Sequence, residues 1–321
     1  MKNVLSILLL FALLIPIELC SQSFQWEAIY NGPKDSLDIP NSIAVDATGN
    51  VYVTGLTTGL TTGPDFTTIK YDQNGEMLWM RKFTENKWGR DIGFKVKVDA
   101  NGNAIAAGWV SITDVSDMAV FKYSPEGDLL WFKTFNGTGS GEDYLYDLVI
   151  DDADNVYVTG QTQSANLDFC TIKYDTNGNL LWSAIWNGGS ADIAQSLAVD
   201  NIGNVYVTGL SFGTAGTGQD FMTVKYNSEG QEQWSKRFNY SGNSADQARF
   251  VAVDNSDNVY VCGYVTASAG NFNYTTIKYN PAGDTIWTRY YDGGSNNVDQ
   301  PLGMRISESG YIVVTGMSTG T

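Results

Sequence analysis

The chain has 321 residues, 43% of them hydrophobic, and a formal net charge of −16, from 19 Lys and Arg against 35 Asp and Glu. That sign repels the phosphates of nucleic acid and of anionic lipid, so neither is expected as a partner. The sequence contains no histidine, which removes the commonest general base and metal ligand and rules out any Ser-His-Asp or Cys-His set.

In chain order, the first element is a leader. Lys2 precedes an apolar run from Val4 to Leu14, extended by Ile15-Pro16-Ile17, too short to span a bilayer comfortably. It reads as a signal peptide over residues 1–21, cleaved after Ser21. Cys20 offers a lipid anchor as the alternative, although bulky Leu19 stands where a small residue is expected. A secreted, extracellular or cell-surface protein follows. No later stretch is apolar enough for a transmembrane segment, and residues 22–321 read as one domain, expected to be monomeric. Cys170 and Cys262 fall at different points of their repeats, and both read as small buried hydrophobes.

From residue 46 onward the chain repeats itself. The phrase Asp46-Ala-Thr-Gly-Asn-Val-Tyr-Val-Thr-Gly55 returns at 99–108, 151–160, 200–209, 254–263 and, more degraded, 307–316. A second phrase, Lys70-Tyr-Asp-Gln-Asn-Gly-Glu-Met-Leu-Trp79, returns four more times. Its Trp falls at 79, 131, 182, 234 and 287, and Trp26 continues the series backwards. Each period of about 52 residues holds four short stretches alternating with the two-residue period of strands: Ser42–Asp46, Val51–Gly55, Phe66–Tyr71 and Met77–Phe83 in the first copy. Their opposite faces are scarcely polar (Tyr52, Thr54, Phe66, Thr68), so each sheet is expected between two packed layers. Turn residues close both hairpins, with Asp154 and Asp257 standing where other copies have Gly. The fold class is therefore all-β: a β-propeller of four-stranded antiparallel blades, five complete and a partial sixth.

The phrases Asn-Val-Tyr-Val-Thr-Gly, Asp-Phe-X-Thr-X-Lys-Tyr and Gly-X-X-X-Trp resemble those of the SBBP (seven-bladed β-propeller) repeat family of secreted bacterial proteins. The resemblance covers Gln25 to Thr321 and implies a propeller in an extracytoplasmic setting. It carries no agreed catalytic or binding residues. Repeat six stops after its second strand, so a longer parent chain is expected. The alternative is a six-bladed ring with a defective blade, Gln25–Tyr30 supplying its fourth strand.

Spacing locates the variable face. Asp to Gly across the first hairpin is always nine residues and Tyr to Trp across the second always eight. Length varies only between strands two and three and between blades. Fixed hairpins on one side and variable loops on the other are how a scaffold presents a binding surface. On that side Asp38, Asp91, Asp143, Asp192, Asp246 and Asp299 recur eight residues before each first hairpin, an expected ring of carboxylates around the channel mouth. Identical repetition favours a structural role, because sites break symmetry. Trp88, in an inter-blade loop, Trp109, at the start of a variable loop, and Tyr264, with Asp91 and Asp143, are the candidate ligand-binding residues, suited to a glycan or protein partner. Tyr144 and Phe212 could join them on a sugar ring, whereas Trp186 aligns with Phe83 and Phe135 and reads as packing.

No catalytic residue, cofactor or metal site is assigned. Acidic hairpins such as Asp151–Asn155 hint at calcium but lack the 12-residue ligand ladder ending in Glu. The functional expectation is a secreted binding or interaction scaffold. The alternative is an enzyme acting on extracellular polysaccharide through paired carboxylates, Glu142 with Asp143 or Asp114 with Asp117.

Overall fold

The computed structural model describes residues 25–319, apart from 34, 85–88, 113–114, 140, 214–217, 242–243, 269, 295–297 and 308. The leader with Cys20, and also Trp88 and Asp114, lie outside the described residues. Blade 1 is β1 (Asp38–Val45), β2 (Val51–Thr58), β3 (Pro64–Tyr71) and β4 (Met77–Phe83). Blade 2 is β5 (Ile92–Val98), β6 (Ala104–Val110), β7 (Asp117–Tyr123) and β8 (Leu129–Phe135). Blade 3 is β9 (Tyr144–Ile150), β10 (Val156–Gln163), β11 (Leu167–Tyr174) and β12 (Leu180–Trp186). Blade 4 is β13 (Asp192–Val199), β14 (Val205–Phe212), β15 (Gln219–Tyr226) and β16 (Glu232–Phe238). Blade 5 is β17 (Gln247–Val253), β18 (Val259–Ser268), β19 (Asn271–Tyr279) and β20 (Thr285–Tyr291). Blade 6 holds β21 (Asp299–Ile306) and β22 (Ile312–Ser318). Every blade is an antiparallel meander in chain order, and no helix occurs among the described residues. The expected first strand began too late: β1 starts at Asp38, so the ring aspartates open or directly precede the innermost strands.

The repeated phrases are explained by local bonding. In the first hairpin the Asp46 carboxylate accepts from the N–H groups of Thr48 and Asn50 and from the Asn50 amide, closing the turn on itself. Gly49 then takes φ 86°, and Asp154 and Asp257 adopt φ 59° in its place. The Tyr of the phrase reaches back to the same carboxylate, as in Tyr157 to Asp151 at 2.9 Å and Tyr260 to Asp254 at 3.0 Å. The Lys of the third strand lies over that ring, Lys173 being 4.9 Å from the Tyr157 centroid.

Blades join through the tryptophans. Trp79, Trp131, Trp182 and Trp234 each donate Nε1–H to a hairpin carbonyl of the next blade: Pro125, Thr176, Ser228 and Pro281, at 2.9–3.1 Å. Each indole lies against the hairpin glycine there, and a Cβ on Gly127, Gly178, Gly230 or Gly283 would enter the ring. Trp79 is buried, whereas Trp131, Trp182, Trp234 and Trp287 are half-buried, because the outermost strand leaves one ring edge to solvent. Four apolar clusters fill the interfaces between blades 1 to 5, and a smaller one joins blades 5 and 6. Cys170 and Cys262 are free and buried within them.

The innermost strands pack in succession from β1 through β5, β9, β13 and β17 to β21. No comparable packing joins β21 to β1. Residues 25–30 form no strand and lie against blade 1, and β22 pairs only with β21. Two apolar faces consequently stay open: Ile43 and Val45 on blade 1, and Leu302, Tyr311 and Val313 on blade 6. The blade 1 face is a groove of about 630 Å³, lined by Trp26, Ile29, Ile39, Ile43 and Ile69 among others.

Candidate functional site

Each innermost strand carries a β-bulge three residues after the ring aspartate. The extra residues are Asn41, Phe94, Tyr146, Gln195, Arg249 and Leu302. A bulge re-aims one side chain and bends its strand. It also explains the Gly nine residues after the first residue of each hairpin, Asp in five copies and Ser307 in the sixth. A Cβ on Gly55, Gly108, Gly160, Gly209, Gly263 or Gly316 would collide with a backbone carbonyl of the bulged neighbour. The scaffold is therefore identical in six copies, while the side chain it presents differs in all six.

Two bulged residues build an aromatic cluster at the mouth of blades 2 and 3. Phe94 lies 5.6 Å from both Trp109 and Tyr146, and Trp109 lies 5.0 Å from Tyr144, edge to face. All four rings are half-buried, so each keeps an edge or face toward solvent. Trp109, expected at the start of a loop, is instead the penultimate residue of β6, paired with Ile92 and Met118. Its ring is thus held by a strand. The Tyr144 hydroxyl donates to Glu142 and the Tyr146 hydroxyl to Gln161. Burial, then the hydrogen bond to Glu142, pushes Tyr144 up to about 12, and burial alone does the same to Tyr146. Both phenols are neutral at physiological pH. Phe94 and Tyr146 were missed in the sequence because the bulge that presents them is a register feature, invisible until strands are paired.

The other expected residues are placed differently. Tyr264 is in β18 and buried, between Phe272 at 5.1 Å and the Arg249 guanidinium at 5.4 Å, so its ring is not open to a ligand. Phe212 ends β14, half-buried, outside the aromatic cluster. Trp186 packs on Phe169 at 5.5 Å. Asp91, Asp143, Asp192, Asp246 and Asp299 are buried and Asp38 is half-buried. Their carboxylates accept backbone N–H bonds: Asp38 from Gly32 and Thr58, Asp91 from Ser111, Asp143 from Gly137 and Gln163. Asp192 accepts from Gly188, Asp246 from Tyr240 and Thr266, and Asp299 from Gly293. The ring clamps loops to innermost strands. Glu142 is engaged by Tyr144 while Asp143 is buried, so this pair does not present two free acids. Among the described residues, no group of three or more Cys, Asp or Glu side chains is arranged to hold a metal.

Antiparallel meanders stacked blade on blade, with constant hairpins on one side and variable loops on the other, define a β-propeller repeat protein. The model of the SBBP β-propeller repeat family matches residues 26–60 and 131–168 of the chain. An uncharacterised WD repeat-containing protein of Acanthamoeba polyphaga mimivirus is 24% identical over 293 residues, covering 75% of this chain. The match spans 19% of the viral protein's length. Among solved structures, a periplasmic gluconolactonase of Pseudomonas aeruginosa superposes with TM-score 0.54 at 13% identity, covering 86% of this chain and 77% of that one. A polysaccharide lyase, an ulvan lyase, also reaches TM-score 0.54, at 12% identity, covering 78% of this chain and 70% of that one. At these identities the likeness is one of fold.

Proposed function

We propose that the protein is a secreted or cell-surface binding scaffold that takes a glycan at the aromatic mouth of blades 2 and 3. The observation that carries this reading is the half-buried cluster of Phe94, Trp109, Tyr144 and Tyr146. It is presented by bulged innermost strands at positions where the other blades carry Asn, Gln, Arg and Leu. Rigid aromatic rings with open edges stack on the apolar faces of sugars at low entropic cost, and their neutral hydroxyls can meet sugar hydroxyls. The departure from blade symmetry supports recognition here over pure scaffolding. An extracytoplasmic setting fits the repeat family, and no described helix is long and apolar enough to cross a membrane.

The test is calorimetry with neutral β-linked oligosaccharides against wild type, Trp109→Ala and Tyr144→Ala. Expected is at least tenfold weaker binding in each variant, with the far-ultraviolet spectrum of wild type. Equal affinity in all three proteins would remove the mouth as the site. Turnover of the oligosaccharide by wild type would shift the reading to the polysaccharide-acting enzyme.

A further inference from the structure

The seam between blades 2 and 3 holds an acid pair that the aromatic mouth does not use. Asp117 opens β7 and is 8% exposed, and Asp143, just before β9, is fully buried. Their backbones are tied, Asp143 N–H donating to the Ser116 carbonyl at 2.7 Å. Asp143 receives two backbone N–H bonds, but Asp117 receives no hydrogen bond from any described residue, and its Oδ1 is shielded from solvent without a partner. The Thr162 hydroxyl is likewise buried and unpartnered, and it adjoins Asp143, both lying against Gly137.

Blade 4 shows what such a carboxylate requires. There Arg237, opposite Met222 in the β15–β16 register, donates Nη1–H to Asp220 at 2.9 Å and Nη2–H to Ser211 at 2.6 Å. Asp220 and Ser211 occupy in blade 4 the places of Asp117 and Val110 in blade 2, and Thr134, opposite Ala119, takes that of Arg237. The seam beside blade 2 therefore keeps the acids and lacks the built-in cation. A buried carboxylate without neutralisation is among the costliest groups a fold can hold.

We propose that the Asp117–Asp143 seam is a metal-cation site, taking one hard divalent ion such as Ca2+ through the two carboxylates and the Thr162 hydroxyl. Oxygen donors alone suit that ion, water and backbone carbonyls completing its shell. Its two positive charges balance both acids, which a single shared proton cannot do. Burial, then the Asp143 charge, raises the Asp117 pKa above its ordinary value, the same unmet demand seen from the proton side. The proposal is independent of what occupies the mouth.

The experiment compares wild type, Asp117→Asn and Asp152→Asn, a control in the exposed acidic hairpin, each stripped with chelator and titrated with CaCl2 in calorimetry and thermal melts. Saturating Ca2+ is expected to raise the wild-type melting temperature by roughly 2–4 °C or more. Asp152→Asn should respond equally and Asp117→Asn not at all. A response that survives Asp117→Asn would overturn the proposal. So would a calcium-insensitive wild type in which Asp117→Asn melts higher at neutral pH, the behaviour of an acid pair sharing a proton.

Discussion

The indole Nε1–H of Trp26 donates to the backbone carbonyl of Gln73 at 3.0 Å, and its ring lies 6.2 Å from that of Tyr71. This is the bond by which Trp79, Trp131, Trp182 and Trp234 join each blade to the next. Residues 25–30, although not a strand, are therefore seated against blade 1 in the place that the fourth strand of a preceding blade would take. Trp287 holds the complementary position, its indole making no hydrogen bond among the described residues. Trp26→Ala should lower stability by about 1–3 kcal/mol, from lost burial and one hydrogen bond. Trp79→Ala, fully between blades, should cost about 3–5 kcal/mol. Urea denaturation measures both; an unchanged midpoint for Trp26→Ala would show that the segment does not bear on the ring.

Stability should peak on the acid side of neutrality. Burial pushes Asp117, Asp168, Asp192 and Asp246 up from their ordinary values, Asp117, Asp168 and Asp246 being pushed further by a neighbouring acid. A raised carboxylate binds more protons folded than unfolded, so its penalty at pH 7 is relieved as pH falls through the raised value. The hairpin aspartates run the other way. Burial would raise Asp46, yet hydrogen bonds from Asn50 and Thr48 outweigh it and hold the group at about 2. Asp99, Asp151 and Asp254 are lowered similarly. Their contribution is intact above the ordinary value of 3.8 and lost between there and about 2. Thermal melts in chelator from pH 8 to 2 should rise, then fall below about pH 4. A monotonic fall from pH 8 would sink the seam argument.

Gly209→Ala should be far more damaging than a glycine-to-alanine change in an ordinary strand. The added Cβ would meet the Ile193 carbonyl, which the bulge at Gln195 has leaned toward the glycine. Neither backbone can yield without opening the β13–β14 ladder. We expect loss of at least about 3 kcal/mol, or insoluble protein. Gly294→Ala is the control: it meets nothing within 4 Å, and its only cost is the φ of 89°. Comparable melting of the two variants would mean that the bulge is not rigid.

Hairpins and blade boundaries were legible in the sequence because they depend on local chemistry: an Asp that closes its own turn, a glycine with positive φ, a Trp at fixed offset. The inward bulge was not, since only cross-strand pairing reveals that Phe94 or Tyr146 is an extra residue. Trp109 looked like loop because a variable loop follows one residue later. Asp117 could be suspected only as half of a pair with Asp114, three positions away in sequence. Its buried neighbour, Asp143, comes from the next blade, a relationship no spacing encodes. The aspartate ring was visible as a pattern, but its bonding to N–H groups required loop conformation.

The same substitution should have opposite signs at two acids of adjoining seams. Asp168 accepts a hydroxyl bond from Ser164 at 3.2 Å and is also reached by the Asn187 side-chain amide, yet one of its oxygens is buried beside Asp192. Asparagine keeps the acceptor and removes the buried charge, so Asp168→Asn should stabilise by about 0.5–1 kcal/mol at pH 7. Asp246 instead accepts from Tyr240 N–H at 2.7 Å and Thr266 N–H at 3.0 Å, one on each oxygen. An amide there turns an N–H donor onto one of those donors, leaving both unsatisfied. Its neighbour Asp220 is already balanced by Arg237, so little repulsion is relieved. Asp246→Asn should therefore destabilise by about 1–3 kcal/mol. Denaturant titrations at pH 7 read both. Destabilisation by Asp168→Asn equal to that by Asp246→Asn would mean that all these acids serve alike as loop clamps, and that charge crowding at the seams is immaterial.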